Sequence, residues 1–207
     1  MSEDGKSVLV LFAHPSLEHS QANRHLLDVS LALEGVTTVD LYAEYPSGDI
    51  DIDREQQRLR DHDVVVFMFP LFWYSTPALL KEWQDLVLEY GFAYGTGGTA
   101  LHGKQFLCAI TAGGRESAYR EQGYNHYSIR QLLRPLEQTA TLCGMQYLPP
   151  YALFGSRTAV EEGRLQSHLD GWREVVANLR SGALDSEQVM NRDQLNEAPF
   201  GIGEGDA

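Results

Sequence analysis

Ser20, Gln21, Ala22 and Asn23 follow His14-Pro15 after a short apolar run at residues 8–12, and the pattern beyond them is helical. A strand that delivers a polar loop into a helix N-terminus leaves unpaired N–H groups and a positive dipole end, a setting that suits a phosphate. Pro70, Leu71, Phe72 and Trp73 close a second apolar run and offer a flat apolar wall. Thr111, Ala112, Gly113 and Gly114 close a third run and offer a rim of amides that a ligand can approach closely. Such amides would stabilise negative charge on a ring that is being reduced. A phosphate cradle, an aromatic wall and a glycine rim at successive strand ends suit a mononucleotide with a large ring, FMN first among them. Each stretch also has a plainer account. Ser20 and Asn23 would serve equally as helix caps, the aromatics as core or subunit interface, and Gly113-Gly114 as an ordinary tight turn.

The elements that must position these loops follow from the hydrophobic pattern. Continuous apolar runs at 8–12, 64–69 and 105–112 read as strands buried on both faces, with further strands at 36–41 and 145–153. A helix runs from Ser20 with Ala22, Leu26, Val29 and Leu33 on one stripe and Gly35 as its stop; a short polar helix covers 51–62. Thr76 caps a helix with Pro77 in its first turn, a buried stripe of Leu79, Leu80, Trp83, Leu86, Val87 and Tyr90, and Gly91 as its end. Later helices fall near 128–143 and 159–179. Alternating strands and helices predict an α/β, flavodoxin-like five-stranded parallel sheet, order 2-1-3-4-5, with helices on both faces and a ligand crevice at the strands' carboxyl ends. Residues 1–180 form one domain on this reading. The acidic, glycine-containing tail 181–207 is expected to be poorly ordered or to pack on another surface.

The chain has 207 residues and a formal net charge of -13, so a phosphate here must be held by amides, hydroxyls and His14 against the global field. That charge argues against nucleic acid as a partner and against adsorption to anionic lipid. Cys108 and Cys143 lie far apart in apolar surroundings and read as reduced core residues; no histidine or cysteine spacing calls for a metal. Residues 1–6 do not resemble a signal peptide, and the most apolar run, 64–74, is too short for a membrane span, so a cytoplasmic location is expected. Gly95-Thr96-Gly97-Gly98 precedes a strand instead of joining strand to helix, which discounts a dinucleotide fingerprint. Asp40 as a ribose-binding acid falls with it. No G-x-S-x-G elbow, G-x-x-x-x-G-K-[ST] loop or H-E-x-x-H pair is present.

These residues, together with Lys81-Glu82-Trp83, Gly91-Phe92-Ala93-Tyr94-Gly95, Leu101-His102-Gly103-Lys104, Glu116-Ser117-Ala118-Tyr119 and Arg134-Pro135-Leu136-Glu137, resemble the flavodoxin-like NAD(P)H:quinone oxidoreductase family. Within it, they are most similar to the ancillary subunits of bacterial glutathione-regulated potassium efflux systems. The likeness runs over 8–179. It implies noncovalent FMN, a homodimer with the flavins near the subunit interface, and ping-pong transfer in which NADH or NADPH reduces the flavin and a quinone or similar electrophile reoxidises it. It also implies a potassium efflux transporter as a partner, and so a cytoplasmic protein peripheral to the inner membrane without insertion. By likeness His14, Ser20, Gln21, Ala22 and Asn23 serve the phosphate and ribityl chain. Pro70 to Trp73 and Thr111 to Gly114 frame the ring, and Tyr119 stands beside it. Two departures stand out: Asn125 occupies the place of a histidine in the longer quinone reductases, leaving His126 one position off as a candidate proton donor, and Ala112 replaces a frequent threonine. Three functions follow for comparison: a two-electron reductase, a regulatory subunit with little enzymatic role, and a one-electron carrier.

Overall fold

The computed structural model describes residues 5–184 and 189–197. Its sheet is parallel, with the strands β1 (Val8–Phe12), β2 (Val36–Asp40), β3 (Val64–Pro70), β4 (Gln105–Thr111), β5 (Gln146–Tyr147) and β6 (Tyr151–Leu153). The order is β2-β1-β3-β4-β5, and β6 also pairs with β4, so the fifth position is shared by two short strands. The sequence pattern predicts one strand over 145–153. Pro149-Pro150 interrupts it, because neither residue has an N–H to continue the ladder.

The helices are α1 (Gln21–Leu31), α2 (Leu41–Glu44), α3 (Ile52–Asp61), α4 (Ala78–Val87), α5 (Ile129–Leu132), α6 (Arg134–Leu142) and α7 (Arg164–Ser181). Side chains alternate across each strand, and the alternation builds two cores. Leu9 and Leu11 pack on one side with Leu59 of α3, Trp83 of α4 and Leu136 of α6. Val8, Val10 and Phe12 pack on the other with Leu26 of α1 and Trp172 of α7. Cys108 and Cys143 are buried and unbonded to each other, in line with their reading as core residues.

Several expectations are corrected. The span 128–143 is two helices, not one: Pro135 lacks the N–H that would continue α5, and α6 restarts with that proline in its first turn. Thr76 does not cap α4. Pro77 takes the N-cap position in extended backbone, and the Thr76 hydroxyl is buried without a hydrogen-bond partner among the described residues. The helix ends at Val87, where Leu88 leaves helical backbone (φ -85°, ψ 61°), so Tyr90 falls beyond it and is exposed; Leu86 lies within the helix but off its buried face. Gly91 lies beyond it, in a turn where its N–H donates to the Tyr94 carbonyl. Helix α7 starts at Arg164 and not near 159, since Gly163 takes left-handed backbone (φ 68°).

Within the tail, the Leu195 N–H donates to the Pro150 carbonyl at 2.9 Å, and Asn196 Oδ1 accepts the Ala152 N–H at 2.8 Å. Val189 and Leu195 are buried in the core beneath α7. The rest of the tail reading, at 185–188 and 198–207, lies outside the described residues, as do residues 1–4. Among the described residues no helix is long and apolar enough to cross a membrane.

Candidate flavin-binding site

Parallel register brings the carboxyl ends of three strands to one edge. Phe12 pairs with Met68, and Pro70 with Thr111. The ladder runs on into the loops: the Ala13 N–H donates to the Met68 carbonyl at 2.9 Å, and the Leu71 N–H to the Thr111 carbonyl at 2.8 Å. The three loops singled out in the sequence therefore begin side by side.

The first loop is a donor cradle. Ser20 stands at the N-cap of α1, but its hydroxyl caps nothing; it accepts instead from Asn23 Nδ2 at 2.8 Å. The N–H groups of Gln21, Ala22 and Asn23 find no acceptor among the described residues. Burial of Ala22 and Asn23 makes such orphan donors costly unless something else meets them. Asn23 also exchanges hydrogen bonds with the Thr111 hydroxyl (3.0 and 3.2 Å), which locks the cradle to the third loop. His14 is buried at the start of the loop, and burial pulls its pKa below the ordinary histidine value despite the opposing fields of Glu18 and Asp40. Its Nδ1 accepts the Ser16 N–H at 3.1 Å, so the neutral ring carries its proton on Nε2, a donor without charge. Asp40 is a helix cap, accepting from the N–H groups of Tyr42 and Ala43.

In the second loop Phe72 and Ser75 exchange backbone hydrogen bonds around a two-residue turn. Trp73 and Tyr74 both take positive φ (49° and 63°), where asparagine and glycine are the usual occupants. Each such aromatic costs about 1 kcal/mol of backbone strain. The turn thrusts Trp73 out, 93% exposed, while Phe72 turns back to meet the His14 ring edge-on at 5.9 Å. The aromatic run is therefore neither core nor a single flat wall: Phe72 braces the cradle, and Leu71, Trp73 and Tyr74 line a cleft.

That cleft, about 280 Å³, is closed on its other side by Gly114, Tyr119 and Asn125. Tyr119 is half-buried, and burial raises its pKa, with the Gly114 backbone and Asn125 opposing the shift. Asn125 Oδ1 accepts from the Tyr74 hydroxyl at 3.1 Å, which joins the second loop to the loop after β4. His126 is not brought to the cleft. Its left-handed backbone (φ 61°) leaves the side chain exposed, while Asn125 takes the inward place. Gly113 is exposed, and a Cβ built on it would meet only Arg157 Nε at 3.7 Å. Nothing in the protein demands a glycine there, which leaves room for a ligand as the reason.

The donor set is thus neutral, clustered and unmet, and it lies beside an aromatic cleft. Sequence reasoning did not find Arg157, which sits in an aperiodic loop where no pattern marks it. It left Tyr74 outside the residues framing the ring, and marked Asn125 only by likeness, in the place of a histidine, without giving it a role.

A family model for the flavodoxin-like fold matches residues 6–176. The chain belongs to this family. It is 53% identical over 157 residues to the ancillary protein KefG of the glutathione-regulated potassium-efflux system of Cronobacter sakazakii, covering 76% of this chain and 85% of that one. Among solved structures, general stress protein 14 of Treponema denticola in complex with FMN superposes with a TM-score of 0.75 at 36% identity, covering 82% of this chain and 98% of its own. An NADPH-quinone reductase from P. pentosaceus gives 0.74 at 30%, with 82% and 96% covered. A chain described as a thermophilic tryptophan halogenase from Streptomycin violaceusniger gives 0.79 at 48%, with 81% and 97% covered; its name stands apart from the other three.

A larger cleft of about 640 Å³ lies between β6, α7 and residues 194–196. Its Arg164 is already committed to Glu162 and to the carbonyls of Phe154 and Gly155. His168 there stacks on Tyr151, and burial pulls its pKa down to about 4, so it brings no charge at neutral pH.

Proposed function

We propose that this chain is an FMN-dependent NAD(P)H:quinone oxidoreductase, acting as a homodimer and as the ancillary subunit of a potassium efflux transporter at the cytoplasmic face of the inner membrane. The observation that carries the reading is the convergence of the unmet α1 amides, the Leu71–Tyr74 cleft and the Gly113 rim on one sheet edge. The FMN-bound and quinone-reductase neighbours point the same way. Residues 1–180 make the FMN-binding domain on this reading.

FMN would supply hydride chemistry, taking two electrons from NADH or NADPH and passing them to a quinone or similar electrophile. The residues' own work is positional. The N–H groups of Gln21, Ala22 and Asn23, with the Ser20 hydroxyl and His14 Nε2, hold the phosphate and the adjoining ribityl chain without opposing charge from the site. Pro70 and Leu71 would wall one side of the ring, with Phe72 bracing His14 and Trp73 at the open mouth of the cleft, and Thr111, Ala112, Gly113 and Gly114 would present backbone to the ring's polar edge. Tyr119, kept protonated by burial, is the hydroxyl placed to give a proton to a reduced substrate oxygen. Exposed His126 is given no part.

Purified protein reconstituted with FMN is expected to oxidise NADH or NADPH with a benzoquinone acceptor well above free FMN at equal concentration. Equality with that control rejects the enzyme. Gly113→Ala tests the rim separately. With only ordinary contact to Arg157, it should change stability by no more than about 0.5 kcal/mol, yet raise the Kd for FMN several-fold by fluorescence titration. Unchanged FMN affinity would show that the ring does not lie over Gly113.

A second reading, a regulatory subunit with little enzymatic role, is favoured by the ancillary name of the potassium-efflux relatives and by the projecting Trp73. Co-purification with a potassium efflux transporter, and transport that survives loss of NAD(P)H oxidation, would select it.

A further inference from the structure

The loop after β6 is stitched onto the glycine rim. The Gly155 N–H donates to the Gly114 carbonyl at 2.8 Å, and the Ser156 N–H to the Ala112 carbonyl at 3.0 Å. Those two bonds set Arg157 beside Gly113, with its Nε 3.7 Å from where a Cβ on that glycine would stand. Among the described residues Arg157 makes no hydrogen bond or ion pair. Arg164, on the helix that follows, is by contrast fully committed to a carboxylate and two carbonyls. A guanidinium is always charged, and this one lies exposed at the rim of a site whose other donors are neutral, in a chain of net charge -13.

We infer that Arg157 is the residue that favours the reduced form of the cofactor, by placing a positive charge at the Gly113 rim. The inference rests on the FMN reading. A hydride from NAD(P)H brings two electrons and one proton to a neutral ring and leaves NAD(P)⁺, so the ring gains one negative charge. Neutral amides answer that charge as dipoles; Arg157, beside Gly113, answers it with a whole opposite charge. It therefore binds the reduced state more tightly than the oxidised state and raises the midpoint potential. Solvent screening at an exposed side chain keeps the effect to about one order of magnitude.

The test compares the FMN-loaded wild type with Arg157→Gln and Arg157→Lys. The glutamine variant should bind oxidised FMN within threefold of wild type but reduced FMN about tenfold more weakly, a fall in midpoint potential of about 30 mV for a two-electron couple. The lysine variant, which keeps the charge, should recover most of the difference. A glutamine variant that holds FMN at an unmoved potential overturns the proposal. So does one whose only change is a raised KM for NADPH relative to NADH, since Arg157 would then read the phosphate of the donor. A wild type that takes up no FMN sinks the FMN reading itself, a result distinct from bound FMN with an indifferent arginine.

Discussion

Ser20→Asp is expected to stabilise the apo protein and to abolish FMN binding, two effects of opposite sign from one carboxylate. Ser20 stands at the N-cap of α1 without capping it. An aspartate there would accept from the free amides of the first turn and meet the positive end of the helix dipole, for a gain of about 1 kcal/mol. In a chain of this size that raises Tm by roughly 2–4 °C. The same amides are the ones proposed to hold the phosphate. A carboxylate among them would occupy the donors and set a negative charge beside the phosphate dianion they are proposed to hold. At an effective dielectric near 20 that repulsion is several kcal/mol before salt screening. A loss of FMN affinity of about a thousandfold, roughly 4 kcal/mol, is the expected result. Riboflavin, which has no phosphate, should lose little, and that separates repulsion from a distorted cleft. Ser20→Ala, which removes one hydroxyl and leaves the amides, should cost about tenfold. If Ser20→Asp is stabilised and still binds FMN as wild type does, the phosphate lies elsewhere and Ser20 is merely an idle cap.

How much of this site could be read from the sequence depended on how local each signal was. The three loops were legible because strand ends are marked by the end of an apolar run, and the parallel order then brings those ends together with no further information. The roles inside the loops were less legible. Phe72 and Trp73 are adjacent in the chain, yet a turn with two positive φ values sends one toward His14 and the other into solvent. Composition predicts neither the turn nor its strain, since aromatics are poor occupants of that backbone. The displacement of His126 by Asn125 has the same origin, a single left-handed residue that reverses which neighbour faces inward. Helix ends failed where proline or a lone glycine competed with periodicity, at Pro77, Pro135 and Gly163. Partners distant in sequence were not legible at all, because no pattern within one segment records them.

Glu55 is the clearest such case, and Glu55→Ala should be the most destabilising single change considered, at about 3–5 kcal/mol by urea unfolding. The sequence of α3 reads as a polar surface helix, and Trp83 of α4 reads as an ordinary core aromatic. In the fold Glu55 has no accessible surface. Its carboxylate accepts from the Tyr45 hydroxyl at 2.6 Å and from Trp83 Nε1 at 2.9 Å, and it pairs with Arg58, which also reaches Glu44. Burial first, and then the bond to the Glu55 carboxylate, push the Tyr45 hydroxyl above its ordinary pKa, so it stays a donor across the working pH range. Removing the carboxylate leaves the Trp83 indole N–H and the Tyr45 hydroxyl buried without their acceptor and leaves Arg58 with Glu44 alone, which is why the loss should exceed that of a cavity alone. Glu55→Gln keeps an acceptor but sets its amide N–H against donors, so it should fall between wild type and alanine. A cost below about 1 kcal/mol for the alanine variant would mean that water enters and satisfies the two donors. The network ties the segment after β2, α3 and α4 together, and α4 begins four residues after Tyr74, which lines the cleft. Glu55→Ala should therefore loosen FMN binding as well as the fold, whereas Ser20→Asp separates the two; the pair of variants distinguishes a site held by its own donors from one held by the frame beneath it.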